Sequence, residues 1–166
     1  MRTWKPLSVG VVGAAMALVL SACGGGSSSS SSTTTTQSPA QATAVITSNW
    51  TAFFNGSNPD TSAKIVLLQN NQKLRDQYNK AYGGNPATAV TAAKVTNVQV
   101  LGASDCQQAA LTSPCAKVSY DLINSQNGSP LLAGQTGYAV NVNGKWLVSQ
   151  NTFCALIALT GSQCPA

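Results

Sequence analysis

The residues with chemistry to offer are five cysteines and four aspartates; histidine and glutamate are both absent. Proton-transfer catalysis needs an acid or base held in a pocket that shifts its pKa. Asp60 precedes a helical pattern and reads as a cap, Asp76 as a helix-surface charge, and Asp105 as a loop residue beside a cysteine. Asp121 alternates with the apolar positions of a strand pattern and should point away from the core. A serine nucleophile would lack its base. No GxGxxG or P-loop pattern follows a strand, and Gly24 to Gly26 belong to a Ser/Thr-rich tract. The sequence therefore predicts a non-catalytic protein without a cofactor. Lacking His, Glu and any CxxC pair, it also predicts no metal site.

Cys106, Cys115, Cys154 and Cys164 form an even set, which suits an oxidising compartment. Four cysteines allow three connectivities. Their locality favours Cys106 with Cys115 and Cys154 with Cys164, and a crossed pairing stays open at this point. Each short loop so closed is worth about 2–3 kcal/mol.

Cys23 stands apart from that set. Arg2 and Lys5 precede an uncharged run, Leu7 to Leu20, which ends in the small residues Ser21 and Ala22. This is the anatomy of a secretory signal, and the run is too short for a stable transmembrane helix. Leu20-Ser21-Ala22-Cys23 resembles the lipobox of bacterial lipoproteins. That resemblance implies a diacylglyceryl group on the Cys23 thiol, cleavage just before it, and acylation of the new amino terminus. One acyl chain anchors only marginally, so two or three are expected. The tract Gly24 to Pro39 has no charge, aromatic or bulky aliphatic residue and cannot bury enough apolar surface to order itself. Its 16 residues should behave as a flexible leash of roughly 20–24 Å. The expected organisation is a signal peptide over 1–22, a lipidated cysteine and linker over 23–39, and one domain over 40–166. The expected location is extracytoplasmic, on the cell membrane.

Removing residues 1–22 leaves a net charge of +3, from seven Lys/Arg and four Asp. Cations so few and scattered argue against a nucleic-acid groove. The partners expected are the membrane, through the anchor, and an unidentified lipid or envelope protein.

The domain reads as helices followed by strands. Val45, Ile46, Trp50, Phe53 and Phe54 have near-helical spacing, and "NGSNPDTS" breaks that pattern. A second helix, capped by Asp60 or Thr61, should bury Ile65 to Leu68. Leu74, Tyr78, Ala81 and Tyr82 form the stripe of a third helix, stopped at Gly83-Gly84, with Asp76 and Lys80 paired on its outer face. After residue 90 the period becomes two. Val95 to Leu101, Ala116 to Leu122, Leu131 to Val142 and Lys145 to Ser149 read as strands. Asn127-Gly128 and Asn143-Gly144 are the dipeptides of type I′ hairpins. The order predicts an α+β fold, three N-terminal helices packed on a curved antiparallel sheet of at least four strands.

This order of elements resembles the cystatin-like, nuclear-transport-factor-2-like fold. The lipobox, the Ser/Thr tract, Trp50-x-x-Phe53-Phe54, Leu67-Leu68 and Gly144-Lys145-Trp146 more closely resemble the low-molecular-weight antigen lipoproteins of mycobacteria and related actinobacteria. That resemblance implies a fold and an address but no catalytic residues. Some relatives of the broader fold are enzymes that use an Asp or a His–Asp pair in the mouth of the sheet, and this chain has no His. Trp50, Phe54, Tyr78, Tyr120, Tyr138 and Trp146 occupy periodic apolar positions, as core packing requires. The same six could line a pocket for an apolar ligand such as an envelope lipid. An aromatic-lined carrier or enzyme, with a lone buried Asp as base, is thus the alternative to a lipid-anchored binding or accessory domain.

Overall fold

A computed structural model describes residues 37–82, 91–159 and 161–165. The signal segment, Cys23 and the Gly83-Gly84 stop lie outside the described residues.

Helix α1 (Pro39–Phe53) begins where the sequence supplies a capping box. Ser38 Oγ accepts from the Gln41 amide, and Gln41 Oε1 accepts from the Ser38 amide. Pro39 takes the first helical position, where a missing N–H costs nothing. The helical period then puts Ala42, Ile46, Trp50 and Phe53 on one buried face. Helix α2 (Thr61–Ile65) starts at Asp60, whose Oδ1 accepts from the Ser62 and Ala63 amides at 2.9 and 3.0 Å. Helix α3 (Asn71–Tyr82) buries Leu74, Tyr78 and Ala81, the stripe its spacing predicts.

Strands β1 (Thr91–Val100), β2 (Cys115–Asn124), β3 (Pro130–Val142) and β4 (Lys145–Val148) form one curled antiparallel sheet in sequence order. The α+β architecture is thus the expected one, with two helices more than the sequence announced. Helix α4 (Ala103–Gln108) interrupts the connection between β1 and β2. Helix α5 (Gln150–Ala158) follows β4 and is capped by Ser149, whose Oγ accepts from the Thr152 amide. Among the described residues no helix is long and apolar enough to cross a membrane.

Three local expectations are corrected. The second helix ends at Ile65, so Val66 turns outward at 56 % exposure while Leu68 is fully buried. Leu67 to Gln69 instead runs along β4. The Val148 amide donates to the Leu67 carbonyl, and the Gln69 amide donates to the Val148 carbonyl. That covers the outer edge of the last strand, which would otherwise offer unpaired backbone groups. The two Asn-Gly turns also differ. Asn143 and Gly144 both have positive φ, 53° and 82°, as type I′ requires. Between β2 and β3 only Gly128 does, at 71°, and the connection is a longer loop closed by Gly128 N–H to the Asn124 carbonyl. Finally, Asp76 and Lys80 are both exposed, and among the described residues neither forms an ion pair.

Period two along the strands separates two clusters. Ala116, Val118, Tyr120, Leu122, Ala139, Trp146 and Val148 face the helices, in a core shared with α1, α3 and α5. Cys115, Val140 and the partly buried Leu147 face the other way, against Cys106 of α4.

Candidate functional site

The aromatic side chains converge where α1, α3 and α5 lie on the sheet. Trp50 and Phe54 come from α1 and its C-cap, and both approach Tyr120 of β2, at centroid distances of 5.6 and 5.5 Å. Phe53, next to Phe54 in the chain, faces α3 and meets Tyr78 at 5.7 Å and Tyr82 at 6.3 Å. Phe153 of α5 closes the group, 6.0 Å from Tyr78 and 6.4 Å from Phe53. Trp50, Tyr78, Tyr120, Phe53 and Phe153 are among the largest fully buried side chains. Such ring pairs add about 0.5–1.5 kcal/mol each beyond the area they bury.

Close approach of α1 to the sheet requires a glycine. A Cβ on Gly137 of β3 would stand 2.9 Å from Trp50 Cζ2 and 2.7 Å from Thr152 Cγ2. Thr152 is itself fixed, since its Oγ1 accepts from the Tyr138 amide at 2.7 Å and pairs with Ser149 Oγ at 2.9 Å.

Of the six aromatics singled out from sequence, Trp50, Phe54, Tyr78 and Tyr120 come together in this way. Trp146 belongs to the same core but sits under the start of α1. Its Nε1 donates to Gln37 Oε1 at 2.9 Å, and its carbonyl accepts from Asn49 Nδ2 at 2.7 Å. Tyr138 does not join them. It alternates with Gly137 and Ala139, which face Trp50 and the core, so its half-buried ring lies on the other face of the sheet. Phe153 carries no local signal in the sequence, since it opens an unbroken apolar run that continues to Leu159.

Tyr78, Tyr82 and Tyr120 all belong to this cluster. Burial pushes the hydroxyls of Tyr78 and Tyr120 well above the ordinary phenol range, and the nearby Tyr82 hydroxyl raises both further. Burial pushes Tyr82 itself up to about 12. All three are therefore neutral at physiological pH, fit to give and take hydrogen bonds but not to act as bases. Two buried donors, Trp50 Nε1 and the Tyr78 hydroxyl, have no hydrogen-bond partner among the described residues. Leaving such a group unpaired costs about 1–3 kcal/mol.

The acids are all engaged or exposed. Asp121 Oδ1 accepts from the Gly134 amide at 2.7 Å, where the β2–β3 register slips and Gly134 has φ 65°. It fastens a bulge. Asp60 caps α2, and Asp76 and Asp105 are exposed on helices. The cysteines pair locally: Cys106–Cys115 joins α4 to the start of β2, and Cys154–Cys164 ties α5 to the chain after it, with Cα separations of 5.8 and 5.6 Å.

A search of curated proteins finds no match. The family model of the low molecular weight antigen MTB12 C-terminal domain matches residues 39–164, from the first residue of α1 to the last cysteine. The chain belongs to the MTB12 low molecular weight antigen C-terminal domain family.

Proposed function

We propose that this protein is a lipid-anchored envelope lipoprotein, tethered through Cys23, whose domain binds a lipid or protein partner and performs no catalysis. The family and the two disulfides fit an extracytoplasmic protein. Leu20 to Cys23 supplies the anchor site, and the uncharged tract ahead of Gln37 supplies the leash, shorter than the sequence suggests because Gln37, Ser38 and Pro39 belong to the ordered start of α1. The observation that carries the non-catalytic reading is the employment of the aspartates. With no His or Glu in the chain, Asp60 is committed to a cap, Asp121 to a bulge, and the other two lie exposed.

Two measurements test this reading. Membrane fractionation of a Cys23→Ser variant should move the protein out of the membrane fraction, and mass spectrometry should find acyl chains on the wild type. Retention of the variant on the membrane, with no lipid on the wild type, overturns the anchor. Asp121→Asn and Asp105→Asn should leave function in cells intact. Loss of function through either, beyond any loss of folded protein, overturns the non-catalytic reading.

A second reading, a small-molecule carrier or enzyme of the nuclear-transport-factor-2-like kind, draws on the two unpartnered donors among the aromatics. A ligand with a carbonyl or ether oxygen would satisfy them. Native mass spectrometry of the full chain, released from its host membrane, distinguishes a bound small molecule from an empty core.

A further inference from the structure

We infer that the groove between α2 and α3 is a binding site for the terminal carboxylate of a polypeptide ending in an aliphatic residue. The inference is independent of the lipid anchor and of the aromatic cluster. The groove has a volume of about 220 Å³ and is lined by Thr61, Ser62, Ile65, Val66, Arg75 and Asn79. These residues come in pairs one helical turn apart. Thr61 with Ile65 and Ser62 with Val66 rise from α2 and its C-cap, and Arg75 with Asn79 faces them from α3.

The polar side chains here are unemployed. Among the described residues, the Arg75 guanidinium has no ion pair, and the hydroxyls of Thr61 and Ser62 and the Asn79 carboxamide make no hydrogen bond within the protein. Two acids lie near in sequence, and among the described residues neither forms an ion pair with Arg75. Asp60 spends Oδ1 on the Ser62 and Ala63 amides, and Asp76 is about 100° further round α3. Lys64, the other cation of α2, is buried at 6 % exposure and does not line the groove.

Arg presents a planar fork that matches a carboxylate bidentately. Beside it, Ile65 and the exposed Val66 offer an aliphatic wall, which a bare inorganic anion would leave wet. The two hydroxyls and the carboxamide can pair with a peptide N–H and C=O. The volume is below that of a drug-sized pocket, about 300–1,000 Å³. It therefore suits the end of a larger ligand, one residue deep.

The test is an amide-shift NMR titration of the full chain in mild detergent, with water-soluble probes. Acetyl-Gly-Gly-Leu should shift the amides of Ser62, Val66 and Asn79 together and saturably. Converting its carboxylate to the amide, or changing Arg75→Gln, should weaken binding about tenfold, as loss of a charged hydrogen-bonding partner implies. Arg75→Lys should recover only part of that loss. Lys94→Gln, on β1, should change nothing. Equal binding of the peptide amide, or full binding by Arg75→Gln, overturns the site. Isovalerate binding as tightly as the peptide overturns the polypeptide source in favour of a free short-chain acid. Inorganic phosphate competing at equal concentration overturns the role of the aliphatic wall.

Discussion

On the helix-facing side of the sheet, twenty buried side chains among the described residues, drawn from all four strands and most helices, make one continuous core. On the other side, three buried residues among those described, Cys115 and Val140 of the sheet and Cys106 of the six-residue helix α4, pack together. The first face hides a large set of apolar side chains from water. The second does not, and two of its three buried residues are the halves of a disulfide. Covalent closure restrains the unfolded chain where burial is scarce. One sheet thus carries two means of stabilisation, set by the side to which each residue points.

High pH should break the larger face first and cost the most. The phenol pKa values of Tyr78, Tyr82 and Tyr120 lie above the unfolded value of about 10. Their contribution is complete below pH about 10 and is lost as pH climbs through the folded values. Circular dichroism should stay flat to that point and then fall, with tyrosinate absorbance rising in step. Phenolate from these residues without loss of structure would count against their burial.

Trp50→Ala removes the ring that touches Phe54, Tyr120 and the Gly137 backbone, and should cost about 3–5 kcal/mol in urea unfolding. Replacing Cys106 and Cys115 together with serine should cost about 2–3 kcal/mol by the same measurement, with the helix-side core still folded. If the two losses come out reversed, the division of labour between the faces is wrong. Gly137→Ala is the subtlest change. Its methyl would press on Trp50 and Thr152 and should cost about 1–3 kcal/mol, shown as a lower melting temperature.

The sequence made the larger face legible because it repeats. The stripe Leu74, Tyr78, Ala81 and the alternation Ala116 to Leu122 are local patterns, and burial follows them directly. Asn143-Gly144 was legible for the same reason, a conformation written in two residues. Helix α5 was not, because Phe153 and Ile157 sit in a uniformly apolar run whose period shows only against a partner. Nor was the contact of Phe54 with Tyr120, which joins the end of a helix to a strand across a long stretch of chain. The α2–α3 groove was hidden likewise. Arg75 reads as a surface charge until Thr61 and Ser62 are folded opposite it.

The clasp at the start of α1 has a mechanical consequence. Gln37 holds the Trp146 indole, Ser38 closes the capping box, and Asn49 grips the Trp146 carbonyl from the same helix. Tension arriving from the chain ahead of Gln37 therefore meets single side-chain bonds, and the ladder of strands stays out of its path. Those bonds can open one at a time and close again when the load drops. Pulled from that end, the domain should yield first as a spring of one or two helical turns, with rupture of the sheet reserved for far greater force.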